Sequence, residues 1–80
     1  MKGKSMPEHG EIDKLRVLIP HWIDHNNGHA QEFKTWSTKA GEAAQDIETA
    51  AARMEAANDA LQEALIKLGG PIDIDPHPHD

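Results

Sequence analysis

Three histidines, His21, His25 and His29, follow one another at four-residue intervals in the first half of the sequence. Residues four apart in an α-helix lie on the same face, one turn from each other. Two imidazoles at this spacing can chelate one cation, as in zinc sites with an H-x-x-x-H pattern. The spacing therefore predicts a metal site on one face of a helix.

A single straight helix does not bring all three imidazoles to one cation. His21 and His29 would be about 12 Å apart along the axis at 1.5 Å per residue, whereas metal–nitrogen bonds are about 2.1 Å long. Either the helix bends, or two histidines form the site and the third serves another ligand set. Glu32 follows His29 by three residues on the same face. His25, His29 and Glu32 are therefore the expected N,N,O ligand set, with His21 as a further candidate.

The C-terminal segment, residues 75–80, carries His77 and His79 between prolines and aspartates. Such a segment suits loose capture of a cation; the alternative interpretation is an ordinary disordered end. Because the chain has no cysteine, its ligands are nitrogen and oxygen atoms. These suit Ni(II), Co(II), Zn(II) or Cu(II) and exclude Cu(I) and iron–sulfur clusters. The predicted cofactor is thus a divalent transition metal such as Ni, Co or Zn.

The helical histidines also have an interpretation without a metal. His29 falls on an apolar stripe, where a half-buried histidine often serves only in packing and hydrogen bonding, and His21 and His25 can be surface residues. The protein would then be a structural or protein-interaction hairpin. No Gly-rich phosphate loop, Ser/His/Asp arrangement or supported carboxylate dyad is visible in the sequence, so we do not expect an enzyme.

Composition limits the remaining function classes. Eighty residues form one domain at most. The formal net charge of −6 argues against nucleic acid and anionic membranes as partners, because both need a basic surface. No apolar stretch approaches the roughly 20 residues that span a bilayer, and residues 1–10 lack the apolar core of a signal peptide. We therefore expect a cytoplasmic protein.

Two apolar stripes with alternating spacings of three and four residues predict two long helices. The first stripe consists of Ile12, Leu15, Ile19, Trp22, Asn26, His29, Phe33, Trp36 and Ala40. The second is rich in alanine and consists of Ala43, Ile47, Ala50, Met54, Ala57, Leu61, Ala64 and Leu68. The predicted fold is all-α: an antiparallel helical hairpin of two long helices over residues 11–68, with its turn near residues 38–42. A disordered arm (1–10) and a disordered tail (69–80) are expected to flank it.

Folding the chain back about residue 40 places bulky residues of the first helix opposite alanines of the second. Trp36 then faces Ala43 and Trp22 lies near Ala57, so both tryptophans are expected in the core. Asn26 falls on the same stripe, where a buried polar residue can fix the register of a helix pair.

One alternative to this hairpin stays open at this point. The segment Asn26-Asn27-Gly28 is itself a turn signal. A break there would give a short helix followed by one very long helix from His29.

The small core predicts self-association. Alanines dominate the second helix and each buries little area, so the hairpin alone should be marginally stable. A two-fold dimer would enlarge the core and bring the His25/His29 pairs of two copies together. We therefore predict a homodimer that forms a four-helix bundle and gains stability with metal. Residues on the second faces of the helices that a second copy could cover are Leu18, Ile23, Ala44, Ala51 and Leu65. A metalloprotein client would be a further partner if the protein serves as a metal chaperone.

Residues 15–40 resemble a group of short uncharacterised prokaryotic helical proteins. These share the pattern L-x-H/P-H-W-x-x-H-N-x-x-H-A-x-x-F-x-x-W-A-x-K-A, an alanine-rich second helix and often histidine-rich ends. The matching residues are His21, Trp22, His25, Asn26, His29, Phe33 and Trp36. The resemblance implies a helical protein that handles metals, and it implies no particular activity. Asn27-Gly28 departs from the pattern where relatives tend to have helix formers, which puts the continuity of the first helix in question.

Overall fold

A computed structural model describes residues 9–72 as two helices and the turn that joins them. Helix α1 spans His9–Ser37, a short 3₁₀ turn spans Gly41–Ala43, and helix α2 spans Ala44–Leu68. The helices pack against each other along their lengths, so the predicted all-α hairpin is confirmed. Neither described helix is both long and apolar enough to cross a membrane.

Helix α1 runs without a break through Pro20 and through Asn26-Asn27-Gly28. The alternative with a turn at this segment is therefore wrong. Asparagine side chains favour turns by bonding their own backbone, but these two bond to the other helix. Asn26 donates from Nδ2 to Asn58 Oδ1 at 3.0 Å, and Asn27 Oδ1 accepts from Asn58 Nδ2 at 2.8 Å. The two asparagine side chains are thus not available for the local hydrogen bonds that would stabilise a turn at this segment.

The turn between the helices lies where glycine permits a left-handed backbone. Backbone bonds from the Lys39 and Ala40 amides to the carbonyls of Trp36 and Ser37 close the end of α1. Gly41 then adopts a φ of 58°, a left-handed conformation that glycine adopts without steric cost. The chain reverses direction over these few residues, which makes the two helices antiparallel.

Helix α2 ends in a Schellman motif. An arginine of α1 donates hydrogen bonds to two carbonyls of this motif. Gly69 has a φ of 115°, and the amides of Gly69 and Gly70 donate to Ile66 and Leu65. Arg16 donates from Nε to Gly70 O at 2.7 Å and from Nη2 to Gly69 O at 3.0 Å. A guanidinium at this end also complements the negative pole of the helix dipole. The N-terminal half of α1 is thereby tied to the C-terminus of α2.

Most side chains buried between the helices lie one residue after a member of the predicted stripes, whereas Ile19 is itself a stripe residue and is buried as expected. The buried residues are Ile19, Ala30 and Ser37 on α1, and Ala51, Asn58 and Leu65 on α2. Each helix is therefore turned by less than the 100° of one residue from the predicted packing, because the buried Ile19 and the half-buried Met54 and Leu61 are members of the predicted stripes. The expected placement of Trp22 and Trp36 in the core is wrong, because they are 43% and 59% exposed.

The same rotation overturns the expectation that Ala51 and Leu65 form part of an outer face. Ala51 is 1% exposed and Leu65 is 3% exposed within a single chain. The register also differs slightly from the predicted one. The midpoint between the bonded residues Asn26 and Asn58 is residue 42, whereas the prediction paired the helices about residue 40. The turn spans residues 38–43, so it extends further beyond residue 40 than the predicted turn near residues 38–42.

Two glycines are expected to respond in opposite directions to alanine. Gly28 lies inside α1, and a Cβ there would meet nothing within 4 Å, so Gly28→Ala should raise the free energy of unfolding by about 0.8–1 kcal/mol through helix propensity. At Gly69 the positive φ is unfavourable for alanine, and a Cβ would lie 3.1 Å from Arg16 Cζ. Gly69→Ala should lower the same free energy by about 1–2 kcal/mol. Urea unfolding of both variants measures the two effects. A change of the free energy of unfolding in the same direction for both variants would contradict the backbone conformations described for these two glycines.

Candidate metal centre

The second and third of the regularly spaced histidines contact each other on the surface of α1. The Nε2 atoms of His25 and His29 are 3.0 Å apart. The two rings meet edge to face, with centroids 4.6 Å apart and an interplanar angle of 77°. One turn of a continuous helix separates the residues, which is why the four-residue spacing brings the rings together. Two imidazole nitrogens thus lie within hydrogen-bonding distance of one another on an accessible face.

The separation of these two nitrogens suits a shared cation. Bonds of about 2.1 Å place two nitrogen ligands about 3.0 Å apart at a right angle and about 3.4 Å apart at the tetrahedral angle. The observed 3.0 Å corresponds to two neighbouring ligands of an octahedral or square-planar ion. Without a cation, the same distance is that of a hydrogen bond between neutral imidazoles, one donating and one accepting.

Glu32 lies on the opposite side of the His29 ring from His25. Its Oε1 is 3.4 Å from His29 Nδ1, whereas the contact with His25 is made by His29 Nε2. A carboxylate placed at Nδ1 favours the tautomer with a proton on that nitrogen and leaves the lone pair on Nε2 free for a metal. Glu32 thus contacts the nitrogen of His29 that does not contact His25, and its predicted role as an oxygen ligand stays a prediction.

Phe33 supports the His29 ring from a further direction. The rings of His29 and Phe33 are nearly parallel, at 28°, with centroids 6.3 Å apart. His29 is consequently half-buried and contacts Phe33, Glu32 and His25. It is the better oriented of the two candidate ligands, because His25 is exposed.

The remaining predicted ligands are not brought to this pair. His21 is exposed on the preceding turn of α1, and His77 and His79 lie outside the described residues. Within residues 9–72, no group of three or more histidine, aspartate or glutamate side chains is arranged to hold one ion. The described part of one chain therefore supplies two nitrogen ligands, and a bound cation would take its others from water or from another segment.

Sequence patterns did not identify Asn58 or Arg16 as important residues. Asn58 is 7% exposed and donates to Ile23 O at 3.3 Å as well as bonding both asparagines of α1. The available signal was a single asparagine among alanines at a spacing of seven from Ala51 and Leu65. Arg16 offered no pattern, because its partners are backbone carbonyls more than fifty residues away.

Comparison with known proteins identifies the family. A family model described as a domain of unknown function (DUF8180) matches residues 15–68, which is more than half of the chain. The chain belongs to this family. The matched region begins within α1 and ends at the last residue of α2, so the DUF8180 domain corresponds to the hairpin that carries the histidine pair. No curated protein and no solved structure matches the chain.

Proposed function

We propose that this DUF8180 domain binds a late first-row divalent cation through the Nε2 atoms of His25 and His29. The observation that supports this most directly is their separation of 3.0 Å, combined with a carboxylate on the far nitrogen of His29. Carboxylate–histidine–metal arrangements of this kind recur in metal sites. The protein would act as a buffer, sensor or chaperone for the cation in the cytoplasm and, as a chaperone, would deliver it to a client metalloprotein.

The surroundings of the pair favour capture of a cation over chemistry on a substrate. In a single chain both imidazoles are accessible from solvent, with His29 44% exposed in its side chain, so an ion reaches them there without an opening motion. The net charge of −6 gives a field that attracts cations. Binding needs neutral imidazoles, so affinity should fall as the pH is lowered.

The choice of metal follows from geometry and ligand type. Affinity of nitrogen sites rises from Co(II) through Ni(II) to Cu(II) and falls again at Zn(II). The right-angle separation of the nitrogens suits the octahedral or tetragonal ions directly. Zn(II) needs the pair to open by about 0.4 Å to reach a tetrahedral angle. We therefore expect Cu(II) and Ni(II) to bind more tightly than Zn(II) to this pair.

Calorimetric titration with Cu, Ni, Co and Zn tests the site. His25 belongs to both pairs that the four-residue spacing allows, with His21 or with His29. His25→Ala should therefore weaken binding most, on the order of 100-fold, because it leaves a single imidazole. His29→Ala should weaken binding more than His21→Ala, since the structure joins His25 to His29.

Two further variants serve as controls for the titration. Glu32→Gln keeps the shape of the side chain and should weaken binding by about tenfold, the lower end of the range for residues that orient a ligand. The double variant His77→Ala/His79→Ala reports on the C-terminal segment alone. Binding that is unchanged in His25→Ala and lost in this double variant would overturn the helical site.

A second candidate function rests on a different observation. Trp22, Trp36 and Ile66 are the large apolar side chains most exposed among the described residues. Large exposed aromatic groups are typical of protein–protein contacts. The hairpin would then be an interaction module, and its histidines would only hydrogen bond to each other. Metal analysis of the protein purified without added metal distinguishes the two functions, since stoichiometric metal supports the first and its absence the second.

A further inference from the structure

One side of the hairpin is mostly polar. A groove lined by residues of both helices lies on this side. The residues along this groove are Lys34, Ser37, Thr38, Glu48, Ala52 and Glu55. Lys34 Nζ lies 2.6 Å from Glu55 Oε2 across it. Thr38 directly follows the buried Ser37, and Ala52 directly follows the buried Ala51. On both helices, then, the residue after a buried position points to this side, and Ile66, which follows Leu65, is an exposed apolar side chain on it.

The residues that directly precede buried positions lie on the opposite side of the hairpin. Each is about 100° round its helix from the buried neighbour, in the other direction. On α1 these residues are Leu18, His29 and Trp36, joined by Trp22, which precedes the half-buried Ile23. On α2 the corresponding seven-residue series is Ala50, Ala57 and Ala64, and Ala43 in the 3₁₀ turn continues it. We call these eight residues the apolar face. Seven of the eight are apolar, and two are tryptophans 43% and 59% exposed.

The apolar face is large enough for a stable interface. Helix α2 is about 37 Å long at 1.5 Å per residue, and two helices packed side by side about 10 Å apart are about 20 Å wide. This side of the hairpin therefore spans on the order of 800 Å² in projection, which is the area each partner contributes to a standard protein–protein interface. Two exposed tryptophans and a series of alanines lie on it, and contiguous exposed apolar surface is typical of interaction sites.

We propose that the apolar face binds a second copy of this chain to form a four-helix bundle, without needing a metal. The face is self-complementary in shape, because it carries bulky side chains on one helix and alanines on the other. A two-fold axis parallel to the helices places α1 of each copy over α2 of its partner. The indole rings of Trp22 and Trp36 then pack against the alanine series of the other copy, large against small.

The core of one hairpin shows why a second copy is needed. The apolar residues buried between the described helices are Ile19, Ala30, Ala51 and Leu65, and two of these are alanines. So little buried apolar surface gives a small domain marginal stability. Covering two tryptophans per chain supplies the apolar burial that the single hairpin lacks.

Neighbouring alanines provide a matched test of this proposal. Ala56 and Ala57 are both exposed in the single chain, but only Ala57 belongs to the apolar face. Sedimentation of the full chain in a chelator should give twice the 8.8 kDa of one chain for the wild type and for Ala56→Glu. Ala57→Glu buries a carboxylate twice in the two-fold interface and should raise the dimer dissociation constant by on the order of 100-fold. Circular dichroism should show the same helix content in both variants.

Tryptophan fluorescence gives a second readout that does not depend on any variant. Dilution of the wild type should shift the emission of its two tryptophans to the red as the dimer dissociates. If Ala57→Glu fails to fold, Trp36→Gln replaces it, since Trp36 makes few contacts in the single chain. The mass of one chain at every wild-type concentration, equal dissociation by both alanine variants, or a dimer that forms only with added metal would each overturn the proposal. The chelator keeps this result separate from that of the metal titration.

Discussion

Asn58→Ala is expected to lower the free energy of unfolding by about 3 kcal/mol. The side chain is 7% exposed and makes three hydrogen bonds that join α2 to α1. Its removal leaves Asn26, Asn27 and the carbonyl of Ile23 without these partners at the helix interface. An unsatisfied buried polar group costs about 1–3 kcal/mol, and the total stability of a small domain is only about 5–15 kcal/mol. The variant should therefore lose a large part of its stability.

Urea unfolding of three asparagine variants checks this prediction. Asn27 is exposed and makes one of the bonds, so Asn27→Ala should lower the free energy of unfolding by only about 0.5–1 kcal/mol. Asn26→Ala should fall between the other two variants. A double-mutant cycle between Asn26 and Asn58 should give a coupling energy above about 0.5 kcal/mol. Equal and small effects at all three positions would show that the asparagines do not hold the helices in register.

The asparagine cluster shows which parts of the fold could be predicted from sequence. The position of Asn26 on an apolar stripe correctly predicted a polar residue that acts between the helices. Its partner was not predicted, because the pairing was centred on residue 40 and the bonded residues are centred on 42. The register of an antiparallel pair depends on how many residues the turn uses. Local sequence patterns do not determine that number to within one or two residues.

The rotation of the helices was the larger error, and its cause is physical. The predicted stripes followed the largest apolar side chains, Trp22 and Trp36, and placed them at the helix contact. Two helices that pack alone touch along a narrow strip, and small residues such as Ala30 and Ala51 let their backbones approach. An apolar stripe that is wider than the strip covered by one neighbouring helix indicates that a second neighbour packs against the helix. The tryptophans therefore indicate the place of a second neighbour, as proposed for the apolar face.

The histidine pair was predictable in position but not in detail. The four-residue spacing of His25 and His29 is sufficient to bring their rings together on any straight helix. The position of the Glu32 carboxylate was not predictable, because a spacing of three allows it to reach either nitrogen of the His29 ring. The rotamers decide this, and they place it at Nδ1. The contributions of His77 and His79 stay a prediction, since these residues lie outside the described range.

A saturating cation is expected to raise the thermal midpoint of unfolding by about 10–20 °C. The His25/His29 pair exists only when α1 is helical, so a cation bound there stabilises the folded state. At a concentration one hundred times the dissociation constant, the gain is about 2.7 kcal/mol. A gain of 1 kcal/mol raises the midpoint of a domain of this size by about 4–8 °C. Thermal melts at one fixed protein concentration, with Ni(II) and with chelator, measure the difference.

Histidine variants decide which site produces this stabilisation. In His25→Ala/His29→Ala the cation should leave the midpoint unchanged or lower it, since the unfolded chain still offers four of its six histidines and binding to the unfolded state opposes stabilisation. In His77→Ala/His79→Ala the rise should be as large as in the wild type or larger, because two ligands available to the unfolded chain are gone while the helical pair is intact. A rise that survives the first double variant and disappears in the second would place the stabilising site in the C-terminal segment. The histidine pair on α1 would then be only a hydrogen-bonded contact, and the proposed function would fail with it.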